Sequence, residues 1–122
     1  MSNRTATILL VDDDSVVRQL VGCMLQSAGY HVYTAQSASE AIALVERLEC
    51  SVSLLVTDMS MPGTDGHQLL QAVRQICPHL GTMVMSGYVP ADGPNRDYPF
   101  LSKPFTQDQL LAAVKQVLDA QN

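Results

Sequence analysis

The chain has 122 residues, 47% hydrophobic content and a net charge of −5, a balance typical of one globular domain with its own core. Its 7 Lys and Arg residues are scattered, which argues against a nucleic-acid interface because phosphate contacts need clustered basic side chains. No apolar run approaches a membrane span and no signal-peptide pattern is present, so we expect a cytoplasmic protein without a membrane anchor.

Strand and helix patterns alternate from the start of the chain. The apolar run at residues 7–11 predicts a strand buried on both faces, because it lacks polar alternation. A helical repeat follows to residue 25, with Ser15 as a candidate cap and Gly29 as a stop signal. Residues 30–35 predict a second strand, and Ser37 and Glu40 form a candidate capping box for the second helix.

The middle of the chain contains the strand at residues 52–57, which ends in Asp58 and a Pro-Gly loop. A third helix ends before Pro78, and residues 82–86 predict a fourth strand. Residues 87–99 carry three prolines and two glycines without a helical repeat, so we predict a loop there.

A fifth strand is predicted at residues 100–102, and Thr106 with Gln109 can cap the last helix. This alternation predicts a single α/β domain over residues 1–122, with a parallel sheet and helices on both faces.

The three cysteines, Cys23, Cys50 and Cys77, are odd in number and widely spaced. They resemble neither a disulfide framework nor a zinc site. We therefore expect small buried or half-buried residues in a reducing, cytoplasmic location.

Chemically reactive side chains stand where the predicted strands end. They are Asp12, Asp13 and Asp14 after the first strand, Asp58 after the third, Ser86 at the end of the fourth and Lys103 after the fifth. These ends share one edge of a parallel sheet. Carboxylates held close repel each other unless a cation joins them, and Mg²⁺ prefers such oxygen ligands. With a lysine and a hydroxyl beside it, this group suits phosphoryl transfer onto an aspartate.

Four segments carry a more specific likeness: residues 9–14 (LLVDDD), 56–66 (VTDMSMPGTDG), 83–87 (MVMSG) and 103–105 (KPF). With these segments the chain resembles a response-regulator receiver domain of two-component signalling over nearly all of its length. The resemblance implies a flavodoxin-like (βα)5 fold, a doubly wound parallel sheet with strand order 2-1-3-4-5.

The resemblance also implies a metal and phosphoryl site. Asp58 is then the phosphoacceptor, and Asp13, Asp58 and the backbone carbonyl of Ser60 bind Mg²⁺ directly. Asp12 acts mainly through a metal-bound water. Asp14 lies outside this pair, and we expect it to cap a helix or face solvent.

The remaining family positions concern the response to phosphorylation. Lys103 pairs with Asp58 and then with the phosphoryl group, and its bond to Pro104 is expected to be cis. Ser86 is the switch hydroxyl, and Phe100 occupies the switch-aromatic position. The implied partner is a histidine kinase or a histidine phosphotransfer protein. Such a domain is a switch, with only self-phosphorylation and autodephosphorylation activity, rather than an enzyme acting on an outside substrate.

The segment between Ser86 and Lys103 departs from the family pattern. It is shorter than usual, and Pro90, Gly93, Pro94 and Pro99 oppose a regular helix, so we predict that the family's fourth helix is degenerate or absent. Homodimerisation stays open, because the family often dimerises through this surface. The Met-Ser-Gly-Tyr run at residues 85–88 resembles receivers attached to hybrid sensor kinases, so a stand-alone regulator and an excised module are both open.

Two alternatives compete with this interpretation. Residues 9–16 also fit the Asp-x-Asp-x-Val motif of haloacid-dehalogenase-type phosphatases, with Asp12 as the nucleophile. However, no acidic pair follows Lys103 at another strand end, and Asp58 would have no role. The other alternative is a pseudo-receiver that binds a partner without phosphorylation, against which the complete set of acids, hydroxyl and lysine argues.

Overall fold

A computed structural model describes residues 6–61, 64–87 and 99–120 of the protein. In chain order the elements are β1 (Thr7–Val11), α1 (Ser15–Ser27), β2 (His31–Ala35), α2 (Ala38–Arg47), β3 (Leu54–Asp58), β4 (Ser60–Met61), β5 (Thr64–Asp65), α3 (Gly66–Ile76), β6 (Gly81–Ser86), β7 (Phe100–Ser102) and α4 (Gln107–Ala120).

Five of the strands form one parallel sheet in the order β2-β1-β3-β6-β7. Numbered along the chain within this sheet, the order is 2-1-3-4-5, so the predicted flavodoxin-like topology is confirmed. The order reverses between β1 and β3, which places a crevice beyond the carboxyl ends of these two strands. The short strands β4 and β5 pair separately as an antiparallel hairpin.

The central strands are buried on both faces, as their unbroken apolar runs predicted. In β1, Leu9 and Val11 pack with α2 and α3, whereas Ile8 and Leu10 pack on the other face with α1 and α4. All four side chains are fully buried. The two cores hold the helices against the sheet and fix where each strand ends.

Local capping signals in the sequence set several of the helix boundaries. The Ser37 hydroxyl accepts a hydrogen bond from the Glu40 backbone N–H at 3.2 Å, as the predicted capping box requires. Thr106 and Gln109 form a reciprocal pair of the same kind at the start of α4. Gly29 has a φ of 99° just past α1, a left-handed conformation that glycine adopts without steric cost.

The cap of α1 differs from the prediction for Ser15. The carboxylate of Asp14 accepts hydrogen bonds from the backbone N–H groups of Val16 and Val17, at 2.9 and 3.3 Å, and Ser15 is the first helical residue. A carboxylate at this end also suits the positive pole of the helix dipole. The expectation that Asp14 caps a helix is therefore confirmed.

The expectation of buried or half-buried cysteines is correct for Cys77 and wrong for Cys23 and Cys50, and the sequence did not indicate a disulfide. Cys50 and Cys77 form a disulfide bond, and Cys23 is exposed. The bond joins residues 27 apart in sequence, in the α2–β3 connection and just after α3. Sequence spacing alone does not indicate that these two segments meet.

Two further expectations concern helices. The predicted loss of the family's fourth helix falls on residues 88–97, including Pro90, Gly93 and Pro94, which lie outside the described residues. Within the described ranges, no helix combines the length and apolarity that crossing a bilayer requires.

Candidate functional site

The site lies where the carboxyl ends of several sheet strands meet. Asp12 directly follows β1, Asp58 is the last residue of β3, and Lys103 directly follows β7. The register aligns Val11 with Thr57, which brings the ends of β1 and β3 side by side. Residues from three distant parts of the chain are thereby brought together at the switch point of the sheet.

Three carboxylates form the acidic part of the site. Asp12, Asp13 and Asp58 each offer an oxygen, and these oxygens lie within 4.8 Å of one another. Asp12 is buried, Asp58 is half-buried and Asp13 is exposed. Such a donor set, open to solvent on one side, fits a hard divalent cation that keeps some of its waters.

Lys103 provides the positive charge opposite these acids. Its Nζ donates a hydrogen bond to Asp58 Oδ1 at 3.1 Å and lies 3.5 Å from Asp12 Oδ2. The second contact is electrostatic, because Asp12 Oδ2 is a buried oxygen without a hydrogen-bond partner among the described residues. A single ammonium therefore faces two carboxylates and leaves one buried carboxylate oxygen without a hydrogen bond among the described residues.

The burial of Asp12 changes its acidity. Desolvation raises the pKa of Asp12 above its ordinary value of 3.8, and the nearby Asp58 and Asp13 charges add to this. The backbone N–H of Asp14, 2.9 Å from Asp12 Oδ1, and the Lys103 charge act in the opposite direction. A buried, incompletely bonded carboxylate of this kind is a suitable partner for a cation or its bound water, so Mg²⁺ fits the residues present.

The loop after Asp58 is held by backbone contacts. Met59 N–H donates to the Met85 carbonyl at 2.8 Å, and Gly66 N–H donates to the Met59 carbonyl at 2.7 Å. Between them, Ser60 pairs with Asp65 in the β4–β5 hairpin. The hairpin returns the chain directly to the start of α3, which fixes the backbone of Ser60 two residues beyond Asp58.

Gly66 is required by a close approach of two backbones. A Cβ atom at this position would lie 2.7 Å from the Asp58 carbonyl oxygen and 3.1 Å from Met59 Cα. Both neighbours are main-chain atoms and have little freedom to move away. The glycine therefore lets α3 begin in contact with the end of β3.

The proposed switch positions lie on the neighbouring strands. Ser86 ends β6 with 6% exposure, and its carbonyl accepts a hydrogen bond from the Lys103 backbone N–H at 2.7 Å. Phe100 begins β7, is half-buried and packs against the core cluster that contains Val84. Ser86 is thus connected through the backbone to the lysine that contacts Asp58. The peptide bond between Lys103 and Pro104 is cis, as the resemblance implied.

Two supporting residues were not identified from the sequence. Arg18 donates from Nη1 to the Asp12 carbonyl oxygen at 2.7 Å, joining α1 to the loop that carries the acids. Thr57 is fully buried, and its hydroxyl donates to the Asp58 carbonyl at 3.0 Å. Thr57 had a usable signal, because it is a polar residue in an apolar strand, whereas Arg18 resembles any polar residue on a helix surface.

Comparisons with known proteins agree with this geometry. The family profile of the response regulator receiver domain matches residues 8–115. The chain is 38% identical to the sensor kinase CckA of Brucella abortus over 97% of its own length, and 36% identical to the response regulator receiver protein CpdR of the same organism over 93%. A crystal structure of a response regulator receiver protein from Sinorhizobium medicae superposes with a TM-score of 0.85 at 31% identity, covering 99% of this chain and 100% of that one.

The relatives differ greatly in length. The chain spans 13% of CckA and 28% of the transcriptional regulatory protein GlrR of Escherichia coli, but 97% of CpdR. The likeness therefore concerns a receiver unit that occurs both inside longer proteins and nearly alone.

The family match does not favour the phosphatase or the phosphorylation-independent alternative. The strand order, the acids at the strand ends and the profile match over most of the sequence all agree. The chain belongs to the response regulator receiver domains, whose members accept a phosphoryl group in two-component signalling.

Proposed function

We propose that Asp58 is the phosphoacceptor of this domain and that its phosphorylation requires Mg²⁺. The observation that carries the proposal is the 3.1 Å contact between Lys103 Nζ and Asp58 Oδ1, beside the acidic group formed with Asp12 and Asp13. Asp58 thus has both a cation-binding neighbourhood and a fixed positive charge. Its half-buried carboxylate is accessible to a donor, whereas Asp12 is only 1% exposed.

The reaction is a transfer between two nucleophiles. An oxygen of the Asp58 carboxylate attacks the phosphorus atom of a phosphohistidine, the P–N bond breaks, and the leaving imidazole keeps the electron pair and takes a proton. The transferred group carries charge on three oxygens, which positive neighbours stabilise. Lys103 is placed to leave the carboxylate and donate to one of these oxygens.

The metal site would use Asp13, Asp58 and the Ser60 carbonyl as direct ligands, with Asp12 acting through a bound water. When bound, Mg²⁺ supplies charge neutralisation for the carboxylates and for the phosphoryl oxygens. Buried Asp12 Oδ2, which has no hydrogen-bond partner in the described part of the chain, supports this assignment, because a cation or its water would satisfy it.

Transmission of the signal would use Ser86 and Phe100. The Ser86 hydroxyl would move to donate to a phosphoryl oxygen, and the Phe100 ring would turn inward behind it. The half-buried state of Phe100 supports this role, since an inward turn would bury the part of the ring that is exposed. The reactions of the domain itself would be self-phosphorylation and autodephosphorylation.

The partner we propose is a histidine kinase or a histidine phosphotransfer protein in the cytoplasm. The exposed apolar face of α1 supports this choice: Val16 and Leu20 are 71% and 56% exposed. A groove lined by Leu20, Met24, Lys103 and Phe105 continues this face towards the site. A helix of the donor lying there would bring its phosphohistidine close to Asp58. A homodimer through another face is compatible with this arrangement.

The proposal is tested by phosphorylation of the purified chain with acetyl phosphate and Mg²⁺, followed by intact-mass analysis. We expect one phosphoryl group on the native protein, loss of labelling when EDTA removes the metal, and loss in Asp58→Asn. Asp14→Asn is the matched control, since Asp14 is adjacent to the acidic group but serves as a helix cap, and it should be labelled normally.

Two results would contradict the assignment. Full labelling of Asp58→Asn would exclude Asp58, and a phosphoryl group mapped to Asp12 would support the phosphatase chemistry instead. If neither acetyl phosphate nor a phosphorylated histidine phosphotransfer protein labels the native chain, the domain is a pseudo-receiver.

A further inference from the structure

We propose that Cys50 and Cys77 form a reversible redox modification site, closed by a low-molecular-weight disulfide such as oxidised glutathione and opened by the corresponding thiol. The two residues are disulfide-bonded, with Cα atoms 5.7 Å apart, within the range that a disulfide spans without backbone movement. This site is separate from the phosphoacceptor site and from the proposed partner surface.

The pair lies near the amino ends of the strands, whereas Asp58 lies at the carboxyl end of β3. Cys50 stands in the connection that leads into the amino end of β3, and Cys77 follows Ile76, the last residue of α3. The chain between the two cysteines contains β3, Asp58, the hairpin and α3. The bond therefore joins the two ends of the segment that carries the proposed phosphoacceptor. It does so near the amino end of β3, whereas Asp58 lies at the carboxyl end.

The backbone presents Cys50 in an unusual conformation. Glu49 and Cys50 have φ values of 54° and 61°, a left-handed region that non-glycine residues seldom occupy. Cys50 N–H donates to the Val45 carbonyl at 3.2 Å, which holds the turn against the end of α2. The turn thus brings the Cys50 side chain to α3 at a defined position, as a specific pairing requires.

The two cysteines differ in exposure, which sets the order of exchange that we propose. Cys50 is exposed, whereas Cys77 is 5% exposed and belongs to the core cluster between the sheet and α2 and α3. Cys50 is therefore the residue that reacts with an external reagent, and Cys77 is the internal partner. In oxidation the Cys50 thiolate is the nucleophile, and in reduction Cys50 Sγ is the atom attacked. The Ile76 carbonyl oxygen lies 3.6 Å from Cys50 Sγ and can accept a hydrogen bond from the thiol in the reduced form.

The chemistry is thiol–disulfide exchange. The Cys50 thiolate attacks one sulfur of the small disulfide, the S–S bond breaks, and one small thiolate leaves and is protonated. The Cys77 thiolate then attacks Cys50 Sγ in the mixed disulfide and releases the second small thiol. The protein loses two electrons and two protons, and the small disulfide gains them. Reduction follows the same steps in reverse, with attack at exposed Cys50.

The expected reversibility also follows from location. Disulfides in reducing compartments are usually transient, whereas those of secreted proteins are permanent. This step rests on the cytoplasmic location proposed above, but its test is independent of phosphorylation, because the thiols and the phosphoryl group are read out separately.

The test equilibrates the full chain in buffers with graded ratios of reduced to oxidised glutathione, traps free thiols by alkylation and counts them by intact mass. We expect 3 alkylated cysteines in the reduced chain, as many as the sequence contains, and Cys23 alone in the oxidised chain. Peptide mapping should find a Cys50–Cys77 link, and excess dithiothreitol should reopen it under native conditions.

Two variants provide the controls. Cys23→Ser removes the exposed thiol outside the pair and should leave the redox titration unchanged. Cys50→Ser keeps the buried Cys77 and should abolish the titration. Closing a loop of this length should raise the Tm of the native protein by about 10 °C relative to its reduced form, and Cys50→Ser should show no redox-dependent shift.

The proposal is overturned if oxidised glutathione leaves Cys50 and Cys77 alkylatable, or if it stops at a glutathione adduct on Cys50. It is equally overturned if the link forms but dithiothreitol opens it only in denaturant, since the bond would then be permanent. Labelling with acetyl phosphate should proceed in both redox forms; a chain that exchanges thiols normally without labelling would contradict the proposed function alone.

Discussion

Three consecutive acids in this protein have three different surroundings. Asp12 is buried against Lys103, Asp13 is exposed within reach of Asp58, and Asp14 caps α1. The sequence LLVDDD shows that a carboxylate ends the first strand, and only the register of β1 with β3 decides which carboxylate faces Asp58. The resemblance to receiver domains separated Asp14 from the other two, and the capping contacts agree with that separation.

We predict that the burial of Asp12 lowers the free energy of unfolding, and that this loss depends on pH. Folding raises the pKa of this carboxyl, so the folded protein holds the proton more tightly than the unfolded chain does. The stability that this proton contributes is fully present below the pKa of the unfolded chain. It is lost as pH rises through the pKa of the folded protein. Asp12→Asn removes the charge and should stabilise the metal-free protein at neutral pH. The gain in unfolding free energy should grow between about pH 3 and pH 7 in denaturant titrations with EDTA.

A matched titration at saturating Mg²⁺ serves as the control for Asp12→Asn. The advantage of the variant should shrink there, since the metal relieves the uncompensated charge of the native carboxylate. A gain that is equal at both ends of the pH range would show that the Asp12 charge is not its cause.

At Lys103, we predict a loss of phosphoryl transfer without a loss of metal binding. Lys103→Ala removes the ammonium that contacts Asp58 and Asp12, so labelling by acetyl phosphate should slow by about 100-fold. Mg²⁺ affinity, measured by calorimetry, should persist because the ammonium is not a metal ligand. A variant labelled at the native rate would exclude the proposed role.

At the scale of the elements, boundaries were predictable where a local contact sets them. The Ser37–Glu40 and Thr106–Gln109 pairs and Gly29 act within a few residues, and the structure uses all of them. Ser15 was the exception, because a carboxylate one residue earlier occupied the capping position. Signals of this kind reveal where a helix begins but not what it touches.

The start of α3 requires a glycine because α3 and the end of β3 approach each other closely there. Gly66→Ala would place a methyl group against the backbone of Asp58 and Met59, so we expect a loss of about 1–3 kcal/mol of stability and weaker Mg²⁺ binding. Gly87→Ala is the matched control, since an added Cβ there meets no atom within 4 Å of the described structure. Its stability should change by less than about 0.5 kcal/mol in the same thermal and metal titrations.

An equal effect of the two alanine substitutions would contradict this account. It would mean that the conformational freedom of glycine, rather than the close approach of α3 to β3, determines the cost.

At the scale of the whole molecule, the strand order was predictable but contacts between distant segments were not. Alternating strands and helices led to the parallel sheet, and the resemblance supplied its order. The Cys50–Cys77 bond depends on the α2–β3 connection meeting the end of α3, a proximity that no periodicity encodes. The contact of Arg18 with the Asp12 carbonyl is local and was missed for a different reason, because Arg18 resembles any polar residue on a helix surface.

Metal binding should stabilise the whole fold, because the acidic group comes together only when the ends of β1 and β3, which are distant in sequence, lie side by side. A cation at about 100 times its dissociation constant adds about 2.7 kcal/mol to the unfolding free energy. Thermal unfolding with increasing Mg²⁺ should show this rise in the native protein, and Asp13→Ala should lose most of it.

Asp14→Ala is the control for the metal effect. It should lower stability by about 1 kcal/mol through loss of the helix cap while retaining the response to Mg²⁺. If Asp14→Ala and Asp13→Ala lose the response equally, the division of roles among the adjacent acids is wrong.

The Arg18 contact has a consequence for energetic coupling. Its guanidinium connects the backbone at Asp12 to α1, the same helix that carries the exposed Val16 and Leu20. A partner that shifts α1 would therefore change the geometry of Asp12 in the proposed metal site, and occupancy of that site would change the position of α1. Because coupling free energies are reciprocal, Mg²⁺ and the phosphodonor should each alter the affinity for the other by the same factor, and Arg18→Ala should weaken that factor without removing either binding site.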